Sequence, residues 1–191
     1  MTRSAAKTAL RDQLATARNR RGLAAAAEDA RALAEVLLAL PEIQRASTVA
    51  AYVSIPGEPG TGPFLDAFTA LGRRVILPIV DGRELDWAAY EGFDSLVAAR
   101  FGLLEPVGRR LGADAIATAD AVLVPAMAVD RTGMRMGKGG GFYDRALGRV
   151  PVGTFVAALL FAGEVLDQVP SEPHDRRVTA VVTPAGVTRF A

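Results

Sequence analysis

The densest concentration of chemistry in the chain is the run Asp130-Arg131-Thr132-Gly133-Met134-Arg135-Met136-Gly137-Lys138-Gly139-Gly140-Gly141-Phe142-Tyr143-Asp144-Arg145. Four of the five residues from Gly137 to Gly141 are glycine. That composition permits positive φ and lets backbone N–H groups approach an anion closely. Arg135 and Lys138 supply full positive charges, and the loop is expected to open a helix at Phe142, whose N-terminus adds a partial one. Phosphate is the ligand this chemistry suits. Two familiar phosphate templates fit badly. A P-loop needs G-x-x-x-x-G-K-[ST], but here three residues separate Gly133 from Gly137 and Gly139 stands at the hydroxyl position. The dinucleotide fingerprint needs G-x-G-x-x-G opening a long helix in the first βαβ unit, whereas Gly137-x-Gly139-x-Gly141 comes late in the chain. The plain alternative is a flexible surface turn; against it stands the tendency of loops to carry function.

Other ionisable residues have bland readings on spacing alone. Arg3, Lys7, Arg11 and Arg18 fall within about a quarter turn of one another at 3.6 residues per turn, which by helix geometry makes a solvated basic edge. Glu58 lies among Pro56, Gly57, Pro59 and Gly60, a turn in which a carboxylate usually faces solvent. Asp144 suits the first turn of a helix as a plain acid beside the macrodipole. His174 is the single histidine. With no G-x-S-x-G and no cysteine to activate, His174 and Asp175 are read as ordering a loop. Trp87, the single tryptophan, suits core and pocket wall equally.

These side chains must be held by alternating helices and short apolar strands. Ala6, Leu10, Leu14 and Ala17 predict a helix over residues 3–18, and a second runs from about Ala24 to Leu40, stopped by Pro41. Thr48–Val53, Val75–Leu77, Ala121–Val124, Thr154–Phe161 and Val178–Val182 read as strands, with a further extended piece at Glu84–Tyr90. Ser54–Gly60 is a loop, Thr61 caps a helix reaching about Leu71 with Gly72 at its end, and a short helix covers Phe142 to about Leu147. Gly92–Gly112 is irregular, with one helical turn near Ser95. The pattern predicts an α/β fold, one domain over residues 1–191, with a mostly parallel sheet flanked by helices. Ligands bind beyond the carboxyl ends of such strands, which favours the loops Ser54–Gly60 and Ala126–Gly141.

Composition removes several function classes. Lys+Arg of 22 against Asp+Glu of 21 gives a net charge of +1, so no basic field points to nucleic acid, and no RRM, KH or zinc-finger pattern is present. The absence of cysteine excludes a disulfide framework, a thiolate metal site and a cysteine nucleophile. With no signal-like apolar region, a cytoplasmic protein is expected. Val150–Gly163 is uncharged, yet it contains Pro151 and Gly153 and falls short of the ~20 apolar residues of a membrane span. It reads as a buried strand, and no membrane partner is expected.

Arg135-Met136-Gly137-Lys138-Gly139-Gly140-Gly141-Phe142-Tyr143-Asp144-Arg145 resembles the R-L-G-x-G-x-G-Y-Y-D-R signature of the 5-formyltetrahydrofolate cyclo-ligase family. Lys7-x-x-Leu10-Arg11 is similar to that family's N-terminal K-x-x-L-R, Gly57-Glu58-x-x-Thr61 to its E-x-x-T loop, and Phe101-Gly102-Leu103-Leu104-Glu105-Pro106 to its F-G-I-x-E-P. Val124-Pro125-Ala126 and Asp130-x-x-Gly133 match the approach to the signature, and His174-Asp175 precedes a similar final strand. The order and spacing cover nearly the whole chain. Met136 stands for the usual Leu and Phe142 for the usual Tyr.

The resemblance implies a fold like that of sugar-phosphate isomerases and CoA transferases. It also implies ATP as co-substrate, Mg²⁺, and 5-formyltetrahydrofolate as the small-molecule partner, in a monomer or homodimer. It assigns Lys7, Arg11, Arg135, Gly137, Lys138, Gly139, Gly140, Gly141 and Asp144 to ATP, with Arg135 and Lys138 as the catalytic cations. Glu58, Phe142 and Tyr143 fall to the folate, and Asp144 is implied as the metal contact with Asp130 a weaker candidate. In the implied reaction the formyl oxygen on N5 attacks the γ-phosphorus, and N10 then displaces phosphate from the formyl carbon. A non-catalytic relative and a kinase for another small molecule share the phosphate logic and differ only at the pterin-facing residues.

Overall fold

The computed structural model describes residues 3–190, and the side chains of Arg3 and Ser4 lie outside what it describes. In chain order the helices and first strands are α1 (Arg3–Asn19), α2 (Leu23–Ala39), α3 (Pro41–Arg45), β1 (Thr48–Ala50), α4 (Gly62–Ala70), β2 (Arg74–Asp81) and β3 (Glu84–Ala89). They are followed by β4 (Leu96–Ala98), β5 (Leu104–Pro106), β6 (Ala121–Pro125), β7 (Ala128–Asp130), β8 (Arg135–Met136) and α5 (Phe142–Leu147). The chain ends with β9 (Phe155–Leu159), β10 (Val165–Leu166), β11 (Ala180–Thr183) and β12 (Gly186–Arg189).

Seven strands form the central sheet in the order β12-β11-β9-β6-β1-β2-β3. The inner five are parallel and the two edge strands run antiparallel. Both faces are buried, and the period of two along each strand sorts residues between them. Val49, Val75, Leu77, Ala121 and Leu123 face α2, α3 and α4, where Leu33, Leu37, Ile43, Phe64 and Phe68 complete one core. Ala50, Ile76, Val122 and Val124 face the other way, toward Trp87, Ile116, Ala146 and Leu147. Trp87 is therefore core, fully buried, and does not line the cavity described below.

Beyond β1 the chain turns to β2 on one side, while β6, β9 and β11 extend the sheet on the other. The strand order thus reverses between β1 and β6, and a crevice opens at their carboxyl ends. A small sheet, β10-β7-β8, and the β4–β5 hairpin stand beside it. Leu10 and Leu14 of α1 pack on Met127, Ala128, Met136 and Val169 of the small-sheet region.

Three local expectations need correction. Pro41 ends α2 but also starts α3, because a proline at the first helical position forfeits no hydrogen bond. Thr61 precedes α4 without capping it. Its hydroxyl instead donates to the Tyr52 carbonyl at 2.8 Å and accepts from the Ser54 N–H at 3.0 Å, tying the Ser54–Gly60 loop closed. Arg18 is no solvated edge: it is 4% exposed and meets both oxygens of Glu164 at 2.7 Å.

Candidate active site

The crevice holds a cavity of about 510 Å³, within the ~300–1,000 Å³ usual for a small-molecule site. Tyr52, Val53, Ile55 and Glu58 reach it from the segment after β1, Pro78 and Val80 from the end of β2, and Pro125 and Ala126 from the end of β6. Phe101, Leu103 and Leu104 add an apolar wall from the β4–β5 hairpin, and α1 contributes Lys7 and Arg11. The glycine loop contributes every residue from Arg135 to Asp144, and Glu172, His174 and Asp175 come from the loop before β11. All the residues that the sequence assigns to ATP, folate and metal therefore gather in one cavity, apart from the weaker candidate Asp130, which does not line it. Asp130 instead accepts N–H bonds from Thr132, Met134 and Val169 and the Thr132 hydroxyl, organising the turn that leads into β8. Burial opposes its charge, but these donors hold its carboxyl below the ordinary aspartate range.

The cations here are already held. Lys7 is 5% exposed and its Nζ donates to Glu172 Oε2 at 2.8 Å and Asp175 Oδ2 at 2.7 Å. Burial works against the Lys7 charge, yet the Asp175 and Glu172 carboxylates outweigh it and raise its pKa. Arg11 Nε donates to the Gly137 carbonyl at 2.8 Å, fastening α1 to the glycine loop. Arg135 Nη2 donates to Asp144 Oδ1 at 2.7 Å, and the same oxygen accepts the Arg176 N–H at 3.1 Å. Arg135 therefore braces the loop against α5. Its buried Nε finds no protein partner among the described residues. Gly139 has φ +103°, a backbone conformation that strains any residue with a side chain and so favours glycine at this point.

Lys138 Nζ reaches Glu58 Oε1 at 2.8 Å; the lysine side chain is half exposed and the carboxylate 8% exposed. Glu58 Oε2 also accepts the Ile55 N–H at 3.0 Å, so the loop curls around its own acid. The residue assigned to the pterin and the one assigned to phosphate are thus in contact across the cavity. Tyr143 lies near Glu58, and burial followed by that negative charge pushes its phenol well above the usual tyrosine range. Tyr52 is raised in the same way, first by burial and then by Glu58. The Tyr52 hydroxyl is buried with no protein partner among the described residues, which leaves a polar atom at the cavity for a ligand to meet.

Sequence reasoning missed Tyr52 and Glu172. Tyr52 carried only the signal of an aromatic at a strand end, and Glu172 only that of an acid between Ser171 and Pro173. Glu172, His174 and Asp175 each offer a ligand atom, all within 4.8 Å of one another. Lys7 already bonds both carboxylates, so this cluster is built as an ion-pair network. With Asp144 nearby in the same lining, the cavity offers the oxygen donors that magnesium prefers; an imidazole suits it less.

The family model described as the 5-formyltetrahydrofolate cyclo-ligase family matches residues 3–184. A Mycolicibacterium smegmatis protein named 5-formyltetrahydrofolate cyclo-ligase is 46% identical over 143 residues, covering 72% of this chain and 73% of that protein. A protein of the same name from Escherichia coli K12 is 31% identical over 160 residues, covering 79% of this chain and 85% of its own length. The NMR structure of Aquifex aeolicus 5,10-methenyltetrahydrofolate synthetase matches with a TM-score of 0.82 at 29% identity, over 96% of this chain and 92% of that one.

Proposed function

The chain belongs to the 5-formyltetrahydrofolate cyclo-ligase family, and on that premise we propose that this enzyme converts 5-formyltetrahydrofolate to 5,10-methenyltetrahydrofolate, coupled to Mg²⁺-dependent cleavage of ATP to ADP and phosphate. The observation that carries the reading is the 2.8 Å contact of Lys138 with Glu58. A pterin edge presents paired N–H donors, which suit a carboxylate, while a transferring phosphoryl group suits a lysine on a glycine loop. Phosphorylation of a formyl group on N5 requires those two half-sites to lie within one side chain of each other, as Glu58 and Lys138 do.

The formyl oxygen attacks the γ-phosphorus and ADP leaves with the electrons of the broken P–O bond. N10 then attacks the formyl carbon, loses its proton, and the C–O bond breaks to release phosphate and complete the methenyl bridge. No protein nucleophile is required; catalysis rests on alignment and on charge held where negative charge moves. Glu58 takes the pterin donors and so releases Lys138 to the phosphates. Phe142 and Tyr143 offer flat apolar faces to the rings. Arg135 keeps Asp144 and the glycine loop in place, and Lys7 and Arg11 bring the charge of α1 to the same edge. Magnesium, held by Asp144 together with phosphate oxygens, would supply further neutralisation of the polyphosphate.

Near-ultraviolet absorbance of the purified protein with 5-formyltetrahydrofolate and Mg²⁺, with and without ATP, tests the reading. The methenyl chromophore is expected to rise only with ATP. No rise from folded protein that still binds ATP would assign the cavity to another substrate.

A further inference from the structure

Three buried side-chain polar atoms find no protein partner among the described residues: the Tyr52 hydroxyl, Trp87 Nε1 and Arg135 Nε. Such atoms are uncommon in native folds, and each calls for a reason. Trp87 lies in the core away from the cavity. Arg135 is engaged through its other nitrogens, with Asp144 and the Pro125 carbonyl. Tyr52 differs from both: it lines the cavity and is 3% exposed, and its one polar side-chain atom is the unpaired one.

The acids nearest to it in charge are committed elsewhere. Glu58 Oε1 faces Lys138 at 2.8 Å and its Oε2 takes the Ile55 N–H at 3.0 Å. Glu164 meets Arg18 with both oxygens and the Phe161 N–H with one. Tyr52 is also held in place. Its carbonyl accepts from the Thr61 hydroxyl at 2.8 Å, and its ring belongs to the core that Leu33, Leu37 and Phe64 complete. Burial, and then the charge of Glu58, keep the phenol protonated, so it is available as a donor. A desolvated donor without a partner costs stability, and phenylalanine would fill the same space without that cost. Folding alone therefore does not explain the hydroxyl.

The nearby Glu58 indicates what the hydroxyl meets. In the folate reading, that carboxylate takes the 2-amino and N3–H donors of the pterin. The next polar atom along the same edge is the 4-oxo oxygen, which is an acceptor. A neutral donor close to the carboxylate completes the match to this order of donor, donor, acceptor, whereas an apolar side chain would leave the oxygen unpaired. We infer that the Tyr52 hydroxyl donates to the 4-oxo oxygen of the pterin and so selects 4-oxo pterins for this cavity. The inference rests on the folate reading above, and it adds Tyr52 as a specificity-determining residue beside Glu58, Phe142 and Tyr143.

The experiment compares wild type with Tyr52→Phe. Urea unfolding of the ligand-free proteins, calorimetric binding of 5-formyltetrahydrofolate without ATP, and KM for each substrate are measured. The unfolding midpoint is expected to stay or rise, since the change removes an unpaired polar atom and no ring volume. The dissociation constant and KM for 5-formyltetrahydrofolate are expected to rise roughly tenfold, the size of a lost hydrogen bond whose acceptor stays buried. KM for ATP stays, and the loss falls on KM rather than kcat, because the 4-oxo group does not react. The 4-thioxo analogue of the substrate keeps N3–H for Glu58 but offers a poorer acceptor. Wild type should bind it more weakly than the substrate, and Tyr52→Phe should bind the two alike. Unchanged folate binding in the variant overturns the inference and leaves the proposed reaction standing. Equal weakening of both ligands overturns it by assigning the hydroxyl to another atom, and a lower unfolding midpoint overturns it by assigning the hydroxyl to the fold. If wild type binds 5-formyltetrahydrofolate but forms no methenyl product, the proposed reaction fails, and selective weakening in the variant still supports the contact.

Discussion

Replacing Arg18 by alanine is expected to loosen the N-terminal helix and to cost far more than a surface arginine would. Arg18 donates to Glu164 Oε1 and Oε2 at 2.7 Å each and to the Ala126 carbonyl at 2.8 Å, and its guanidinium lies 5.6 Å from the Phe161 ring centre. The Glu164 side chain is 8% exposed and would keep only the Phe161 N–H, at 2.9 Å, among its present side-chain partners. A buried carboxylate deprived of its cation costs about 3–5 kcal/mol, a large share of the ~5–15 kcal/mol that holds a typical domain together. Lysine at this position keeps the charge but not the fork that serves two oxygens and a carbonyl at once, so Arg18→Lys should recover only part of the loss. Urea denaturation gives the change in midpoint, and hydrogen exchange of the α1 amides separates detachment of the helix from global unfolding. In the cycle with Glu164→Gln the double variant should lose less than the two single losses added. A change below about 1 kcal/mol, with unaltered exchange in α1 and no coupling in the cycle, would refute the reasoning. The effect extends to the site, because Lys7 lies eleven residues before Arg18 on the same helix, three turns and about 16 Å away on the same face.

Lys138→Ala should lower turnover and weaken ATP binding while leaving the fold intact, since the lysine itself is half exposed, water can take its place, and Glu58 keeps the Ile55 N–H; unfolding of that variant would make the loop structural. Phe101 is the one non-glycine residue with positive φ among the described residues, at +61°, and its ring is 73% exposed. Phe101→Gly should therefore raise the unfolding free energy by about 1 kcal/mol, and a fall would show that the ring is packed. The phenols of Tyr52, Tyr90 and Tyr143 are held above their ordinary value of 10.0 chiefly by burial, and Lys7 above 10.5 by its carboxylate partners despite burial. Groups with raised folded pKa values give stability that is present below the unfolded value and lost above it. Unfolding followed against pH should show a loss beginning above about pH 10, in step with tyrosinate absorbance; a flat profile to pH 12 would contradict it.

Much of the site was legible because its signals are local. The glycine run and the start of α5 at Phe142 follow from residue type over a few positions, and the apolar runs of β1, β2, β6 and β9 are long enough to mark a sheet buried on both faces. The small sheet was not legible: β8 and β10 have two residues each, and β10 joins through distant contacts such as the Val129 N–H to the Glu164 carbonyl. The basic face of α1 shows the same limit. Helix periodicity placed Lys7, Arg11 and Arg18 along one edge but could not supply their partners. Glu164 is 146 residues from Arg18, and Asp175 is 168 from Lys7. Only the fold turns that edge from a solvated face into one held by buried acids. Thr61 failed as a cap for a related reason, since the closing of the Ser54–Gly60 loop claimed its hydroxyl first.

The central claim is that ring closure proceeds through phosphorylation of the formyl oxygen, with no covalent bond to the protein. Substrate carrying ¹⁸O in the N5-formyl group, turned over with unlabelled ATP in ordinary water, tests it most directly. The account predicts one ¹⁸O in each inorganic phosphate released, in step with methenyl formation. Methenyl product accompanied by unlabelled phosphate would contradict it.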